Sequence, residues 1–122
     1  MKLITLSFLF YFLFLKLALS EEIFGLPVIT DGDTIKILSN KIRLYGIDAP
    51  EKKQKCIKNA KEYNCGVVAT EMLIKKINKN IVKCLTQKNK DRYNRFIGIC
   101  FVEQKDLNKW MVRNGHAIAY KR

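Results

Sequence analysis

Four cysteines constrain the fold of this 122-residue chain more than any other feature of its sequence. They are Cys56, Cys65, Cys84 and Cys100, with eight, eighteen and fifteen residues between them. The absence of a Cys-x-x-Cys pair and the single histidine argue against a zinc site. In an exported chain, an even number of cysteines predicts two disulfides, for which three connectivities exist. The alternative is four small buried thiols.

The first 20 residues have the pattern of an export signal. Lys2 gives a basic start, residues 3–15 are apolar apart from Thr5 and Ser7, and small residues lead up to Ser20. A run of 13 apolar residues is shorter than the roughly 20 that a membrane-spanning helix needs. We therefore predict a signal peptide at residues 1–20, secretion or periplasmic export, and no stable membrane association after cleavage. The alternative is an uncleaved membrane anchor, since Lys16 interrupts the approach to the cleavage region.

The remainder, residues 21–122, contains no linker, repeat or low-complexity tract, so we expect a single domain. The chain has 23 basic and 11 acidic residues, and without Lys2 and Lys16 the basic count is 21, a net charge of +10. Such an excess on a small domain indicates a polyanionic partner, either nucleic acid or an anionic membrane surface.

Alternating apolar side chains predict five strands, at residues 27–30, 34–38, 42–47, 80–86 and 95–102. Residues 48–61 lack periodicity and are predicted to form a loop. Residues 62–78 read as a helix that buries Ala69, Leu73 and Ile77, with Thr70 and Ile74 beside them.

A short last helix is predicted to begin at Asp106 as N-cap, to bury Leu107, Trp110 and Met111, and to end at Gly115. The expected fold class is therefore α+β: a five-stranded OB-type β-barrel with one main helix between strands 3 and 4 and a short C-terminal helix. Cys84 and Cys100 lie symmetrically about the loop between the last two strands, so we expect them to pair across that hairpin. Cys56 would then pair with Cys65.

Acidic and basic residues cluster in two segments, Asp31-Gly32-Asp33-Thr34 and residues 43–51. If the strands next to Asp33 and Asp48 are neighbours, the two carboxylates can converge on one cation, and oxygen ligands suit calcium. Taken alone, an Asp-Gly pair is a turn and an Asp-x-Pro-Glu segment is the start of a loop. The single histidine, His116, excludes a two-histidine ribonuclease mechanism.

These segments resemble the staphylococcal nuclease, or thermonuclease, family. The resemblance rests on Asp-Gly-Asp-Thr, Arg-Leu-x-Gly-Ile-Asp-x-Pro-Glu and Asp-Arg-Tyr-x-Arg at residues 91–95, and it continues through residues 107–108 and 112–120. It covers nearly all of residues 21–122, which it identifies as a thermonuclease-like domain with an OB fold.

The resemblance implies a role for each matching residue. Asp33 and Asp48 match the calcium carboxylates, and the carbonyl of Ala49 matches a further ligand. Glu51 matches the general base, and Arg43 and Arg95 match the arginines that grip the scissile phosphate. Arg92, Tyr93 and Tyr120 match contacts to the nucleotide or its terminal phosphate. The chemistry is coherent, because a cation and two guanidiniums offset developing charge while a carboxylate accepts the proton of water.

The sequence thus predicts a secreted Ca²⁺-dependent nuclease that hydrolyses DNA or RNA with little sequence specificity, acting as a monomer without a protein partner. One alternative is a non-catalytic OB-fold module that binds single-stranded nucleic acid, and another is a disulfide-stapled toxin or membrane-active protein. Neither alternative explains why the chain contains the full set of Asp33, Asp48, Glu51, Arg43 and Arg95. The sequence departs from the family at two points. Asn94 stands in place of a glycine, but asparagine also tolerates a left-handed backbone. The sequence ends at Arg122, where the family usually continues into a further C-terminal helix; its absence would leave part of the barrel uncovered, and two disulfides would offset this.

Overall fold

Short strands make up most of the regular structure in this computed structural model, which describes residues 21–121, and some of them, such as β8, alternate buried and exposed side chains. Within that range the elements are β1 (Glu21–Gly25), β2 (Pro27–Asp31), β3 (Thr34–Ile37), β4 (Asn40–Leu44), β5 (Ile47–Asp48), β6 (Cys56–Lys58), β7 (Lys61–Tyr63), α1 (Cys65–Ile77), β8 (Val82–Thr86), β9 (Phe96–Val102), β10 (Lys105–Asp106), α2 (Leu107–Arg113) and β11 (Ile118–Ala119). The predicted signal peptide, residues 1–20, lies outside the described residues.

The main sheet has the order β1-β8-β9-β4-β3-β2, with β10 added beside β9. Its pairs are antiparallel except for β4 and β9, which run parallel. A Cβ added to Gly25, at one edge of the sheet, would come within 2.9 Å of Ile37 of β3, and this close approach shows that the sheet curls. With two helices and a curled sheet in residues 21–121, the expected α+β fold of the OB type is confirmed.

The core lies inside the curl and is closed by one face of each helix. Ala69, Leu73 and Ile77 of α1 are buried as predicted, and so are Leu107 and Met111 of α2. Trp110 is only partly buried, at the margin of the core. Asp106 caps α2 as predicted, accepting a 3.0 Å hydrogen bond from the Lys109 N–H.

Other predictions about the elements need correction. The helix begins at Cys65 rather than at position 62, because Glu62 and Tyr63 pair with Ile57 and Cys56 in a separate two-stranded ribbon. Of the two residues predicted to lie beside the buried face of α1, Thr70 is buried and Ile74 is half exposed. The sheet also includes β1, which was not predicted and pairs with β8 far along the chain.

The disulfide prediction is confirmed. Cys84 and Cys100 are directly opposite each other on β8 and β9 and are bonded, and Cys56 is bonded to Cys65. No cysteine is free. The Cys84–Cys100 bridge is fully buried in the core, whereas the Cys56–Cys65 bridge joins the β6–β7 ribbon to the start of α1. None of the helices within residues 21–121 has the length and apolar character needed to cross a bilayer.

Candidate active site

Two carboxylates face one guanidinium where β3, β4 and β5 meet. The Arg43 Nη2 atom lies 3.4 Å from Asp33 Oδ2 and 3.4 Å from Asp48 Oδ1. The two carboxylate oxygens are therefore separated by no more than twice that distance. Asp33 stands in the turn directly before β3, which begins at residue 34 as predicted, and Asp48 ends β5. The structure thus brings Asp33, Arg43 and Asp48 together.

Backbone and side-chain donors fix the Asp33 carboxylate. The Ala49 N–H donates to Oδ2 at 2.8 Å, and the Thr34 hydroxyl donates to Oδ1 at 2.9 Å. The Asp33 backbone carbonyl also accepts a hydrogen bond from the Leu44 N–H. Asp33 is buried, whereas the Asp48 side chain is 54% exposed. The pair therefore combines one rigid carboxylate with one that faces solvent.

Arg43 is buried, although charged residues on strands are usually exposed. Its Nη1 atom donates to the carbonyls of Leu44 at 2.9 Å and Ile47 at 2.8 Å. Both carbonyls belong to the turn that leads from β4 into β5 and so to Asp48. The guanidinium therefore ties this turn with one nitrogen and faces the two carboxylates with the other.

The donor set suits a hard cation with oxygen ligands. Asp33, Asp48 and the nearby Ala49 carbonyl provide oxygens, the ligand type that calcium prefers. Within residues 21–121, no group of three or more histidine, cysteine, aspartate or glutamate side chains is placed to hold a metal ion. The protein ligands are therefore few, and a bound cation would need water or a phosphate to complete its coordination.

Glu51 is exposed, and contacts of its backbone hold the surrounding loop. Its N–H donates to Gln54 Oε1 at 3.2 Å, and its carbonyl accepts from the Gln54 N–H at 2.8 Å. The next residue, Lys52, donates its N–H to Asp31 at 2.9 Å. At the start of α1, a Cβ on Gly66 would overlap the Glu51 carbonyl oxygen, so only glycine permits this close approach. The loop that carries Glu51 is thus anchored to both β2 and α1.

Asp91 organises the loop that carries the second arginine. Its Oδ1 accepts from the N–H groups of Tyr93 and Arg95, and its Oδ2 accepts from Arg95 Nε, each at 2.9 Å. Burial acts to raise the pKa of Asp91, but these hydrogen bonds and the charge of Arg95 outweigh it and lower the pKa below its ordinary value of 3.8. Asp91 therefore holds the Arg95 side chain through its Nε atom.

The Tyr93 ring lies close to two guanidiniums. The Arg92 and Arg95 Cζ atoms are 5.0 Å and 5.2 Å from its centroid, within the range of cation–π attraction. Tyr120 lines the same surface pocket as Asp91, Arg92 and Tyr93. Both tyrosines are exposed, so their rings are accessible to a base or sugar. Asn94 has φ 61°, which confirms that asparagine takes the left-handed position in this turn.

The strand register relates the two arginines. Arg43 of β4 is paired with Ile97 of the parallel strand β9. Arg95 directly precedes β9, whose first residue, Phe96, pairs with Ile42 of β4. The loop of Asp91 therefore leads into the strand next to the one that carries Arg43.

Some residues that build this region were not predicted. Asp91 belongs to the quoted motif, but its role as acceptor for Arg95 was not predicted; the four-residue spacing between opposite charges was the available signal. Asn108 is buried, donates to the carbonyls of Tyr45 and Gly98, and accepts from the Cys100 N–H. It ties α2 to β9 and to the turn after β4; the family resemblance includes residues 107–108, but it assigned no role to Asn108.

The fold and the site define an OB-type α+β domain that carries paired carboxylates and arginines at the ends of its strands. Residues 41–122 match the family described as staphylococcal nuclease homologue. The chain therefore belongs to that family, as the resemblance in its sequence predicted.

Three relatives illustrate the range of similar proteins. The chain is 34% identical over 101 residues to the succinoglycan biosynthesis protein ExoI of Rhizobium meliloti, an alignment that covers 81% of this chain and 53% of the relative. It is 36% identical over 98 residues to an uncharacterized endonuclease of Haemophilus influenzae, covering 76% of this chain and 49% of the relative. It is 34% identical over 116 residues to an uncharacterized endonuclease of Escherichia coli, covering 90% and 69%. The chain thus spans about half the length of the first two relatives.

Proposed function

We propose that this protein is a Ca²⁺-dependent nuclease that hydrolyses the phosphodiester bonds of DNA or RNA with little sequence specificity. The observation that carries the proposal is the convergence of Asp33 and Asp48 on Arg43. Membership of the staphylococcal nuclease homologue family and two relatives named as endonucleases support it.

In this proposal, Asp33, Asp48 and the Ala49 carbonyl hold the calcium ion. The ion supplies Lewis-acid stabilisation of the charge on the phosphate when it is bound. Arg43 and Arg95 bind the non-bridging oxygens of the scissile phosphate, because a planar guanidinium matches two of these oxygens. Arg92, Tyr93 and Tyr120 hold the adjoining nucleotide.

Glu51 is proposed as the general base. It accepts a proton from water as the water oxygen bonds to phosphorus, and the ester P–O bond breaks with its electron pair remaining on the leaving oxygen. That oxygen takes a proton from solvent. The exposed side chain of Glu51 suits this role, and its backbone, three residues after Asp48, is anchored to Gln54 and against Gly66 of α1.

Glu51→Gln tests this function, because it retains the shape of the side chain but cannot accept a proton. We expect turnover of DNA to fall by about 10²–10⁴-fold. Affinity for DNA should change little, since it arises mainly from lysines and arginines that neutralise phosphates. Glu71→Gln removes the same charge from an exposed position on α1 and serves as the matched control. Cleavage and equilibrium binding are measured at one salt concentration.

A second outcome of this assay would favour the non-catalytic binding module. Wild-type protein that binds nucleic acid but never cuts it with calcium present, or Glu51→Gln that cuts as fast as wild type, would contradict the catalytic proposal. Arg95→Ala provides a second variant, for which turnover should fall more than binding if the guanidinium acts on charge that develops in the transition state.

We also propose export of the chain to an oxidising compartment, as a monomer with no stable membrane association. Two disulfides and no free cysteine support this, because disulfides persist outside the cytosol. Amino-terminal sequencing of protein recovered from the exporting host, with cleavage expected after Ser20, tests the signal peptide. An intact amino terminus in the membrane fraction would favour the uncleaved anchor.

A further inference from the structure

The segment from residue 52 to residue 63, which we call the basic ribbon, contains β6 and β7 and stands apart from the main sheet. It contains five lysines and one acidic residue, Glu62. All of its residues except Cys56 are exposed. None of the ion pairs found within residues 21–121 involves its lysines. The ribbon is therefore a projecting, strongly positive element whose charge is not offset by the fold.

Several features of the ribbon disfavour its own stability. Lys58 and Lys61 are directly opposite each other on the two strands, an arrangement in which like charges repel. Asn59 and Ala60 both have positive φ, and for alanine this conformation is strained. Ile57 is 79% exposed, so its apolar side chain adds little burial. A two-stranded ribbon of this kind is marginal in water without other support.

Two contacts at the base of the ribbon supply that support. The Cys56–Cys65 disulfide closes it onto the start of α1. The Gly66 N–H donates to the Gln54 carbonyl at 3.1 Å, and Gly66 itself lies against the Glu51 carbonyl. The first two residues of α1, Cys65 and Gly66, therefore hold both the ribbon and the loop of Glu51, so the position of the ribbon is fixed relative to that of the loop.

One face of the ribbon combines two kinds of side chain that suit a nucleic-acid strand. Because paired residues and those two apart share a face, Lys58, Lys61 and Tyr63 all lie on the same side. The Tyr63 ring is 41% exposed. Lysines that meet the phosphates and an aromatic ring on which a base stacks form the usual pair of contacts to single-stranded nucleic acid.

We propose that the basic ribbon is a second binding site for the substrate, which holds a single-stranded segment of the polynucleotide beyond the phosphate that is cut. Lys58 and Lys61 bind phosphates of that segment, and Tyr63 stacks on one of its bases. The bound anion also relieves the repulsion between the two lysines. The proposal deepens the nuclease function and rests on it only for the cutting of the strand, not for its binding.

Binding without cleavage tests the ribbon directly. The affinity for a single-stranded oligonucleotide of about 16 nucleotides is measured by fluorescence anisotropy in the presence of a chelator and at several salt concentrations. Lys58→Gln/Lys61→Gln should lower the affinity on the order of tenfold near 0.1 M salt. It should also make the slope of log K against log salt shallower by about 1.4, because each of the two lost phosphate contacts contributes about 0.7 for single strands.

The main sheet offers a matched control. Lys36 and Lys41 are also exposed and directly opposite each other, on β3 and β4. Lys36→Gln/Lys41→Gln therefore removes the same charge from the same arrangement, and we expect it to leave the salt slope close to that of wild type. Equal losses in the two double variants, or a ribbon variant that binds like wild type, would overturn the proposal.

Thermal unfolding separates this role from a structural one. Because removing opposed like charges relieves repulsion, Lys58→Gln/Lys61→Gln should leave Tm unchanged or raise it while binding weakens. A lower Tm accompanied by proportionate loss of binding would instead show a structural role. Tyr63→Leu should weaken binding on the order of tenfold for a normal oligonucleotide, but not for an abasic one, and equal loss for both would contradict stacking.

The two proposals can fail separately. Wild-type protein that binds the oligonucleotide through the ribbon but does not cut it with calcium contradicts the nuclease function and supports the ribbon. The opposite result is that wild-type protein cuts a small diester such as bis(4-nitrophenyl) phosphate, while Lys58→Gln/Lys61→Gln binds long single strands as tightly as wild type. This result would contradict the proposal for the basic ribbon and leave the nuclease function standing. Binding of anionic vesicles that requires Lys58 and Lys61, without their involvement in oligonucleotide binding, would assign the surface to membranes and overturn the proposal.

Discussion

Arg43 performs two tasks with the two ends of one guanidinium. Nη1 ties the Leu44 and Ile47 carbonyls, while Nη2 stands between the Asp33 and Asp48 carboxylates. A lysine ammonium could satisfy one of these arrangements but lacks the planar fork that spans both. The residue that the family resemblance implies for phosphate binding is thus also part of the structural support of the site.

Arg43→Lys should therefore lower both stability and cleavage. We expect a loss of about 1–3 kcal/mol in the free energy of unfolding, because the carbonyls of the turn lose their donor. Urea unfolding and turnover of DNA measure the two effects. Arg113→Lys, at an exposed position in the last turn of α2, is the control and should change neither. Wild-type stability in Arg43→Lys would show that the two carbonyl contacts contribute nothing.

The stability of the protein should depend on pH through Asp91. Its pKa in the folded protein is lowered, with burial opposed by the hydrogen bonds and charge of Arg95. Its contribution to stability is therefore fully present above the ordinary value of 3.8 and is lost as the pH falls through the lower folded value.

Thermal unfolding between roughly pH 2 and pH 5 tests that contribution. Tm of the wild type should fall through this range more steeply than Tm of Asp91→Asn, which has no proton to gain at this position. At neutral pH the variant should also cut more slowly, because Arg95 loses the acceptor that orients it. Parallel Tm profiles for the two proteins would contradict this account of Asp91.

At the scale of elements, local patterns predicted those strands and helices whose buried faces repeat regularly. β3 and β8 alternate buried and exposed positions, and α1 buries Ala69, Leu73 and Ile77. β1 has the same alternation but only one partly buried apolar side chain, Ile23, and its partner β8 is distant in sequence. Its place in the sheet depends on that pairing, which no local pattern reveals.

The β6–β7 ribbon was missed for a different reason. Its residues are almost all exposed and polar, so no periodicity marks its strands, and its turn uses Asn59 and Ala60 rather than a glycine. The disulfide and the anchoring at Gly66 support it instead. The proximity of Asp33 and Asp48 could be predicted, because the strands next to them are joined by a short turn and are therefore neighbours. The acceptor role of Asp91 and the burial of Asn108 could not, because they depend on contacts that form only in the folded chain.

The two disulfides should have different effects when removed. The chain-entropy contribution is about 3 kcal/mol for a loop of about 15 residues, close to the separation of 16 between Cys84 and Cys100. Cys84→Ala/Cys100→Ala should lose at least this much stability, because it also leaves a cavity in the core. Chemical denaturation measures the loss.

Cys56→Ala/Cys65→Ala should instead act locally. We expect a smaller loss of global stability, faster tryptic cleavage at the lysines of the basic ribbon, and slower cutting of DNA because the loop of Glu51 loses one of its anchors. Limited proteolysis alongside the denaturation curve distinguishes the two variants. The reverse order of global stabilities, with a ribbon that resists trypsin, would refute this division of roles.

Considered as a whole, the molecule places groups of opposite sign at a few fixed positions of a basic domain. The net charge of +10 on residues 21–122 attracts a polyanion. Within this basic domain, the carboxylates of Asp33 and Asp48 form a local acidic site. A cation bound at this proposed site would be held against the general field of the protein, and binding of a phosphate nearby should make that easier. Calcium and nucleotide should thus each strengthen the binding of the other.

Thermal unfolding can measure this coupling without any cleavage. A ligand that binds only the folded state adds about 2.7 kcal/mol of stability at 100 times its dissociation constant. With so few protein ligands, calcium alone should raise Tm little at millimolar concentration, and a mononucleotide alone should do the same. The two together should raise Tm by more than the sum of their separate effects.

Asp48→Asn should abolish the excess while leaving the ligand-free Tm almost unchanged, because the Asp48 side chain is 54% exposed. Glu71→Gln, an equal loss of charge on α1, should retain the excess. Strictly additive effects in the wild type, or an excess that survives in Asp48→Asn, would exclude Asp48 as a calcium ligand coupled to the substrate phosphate.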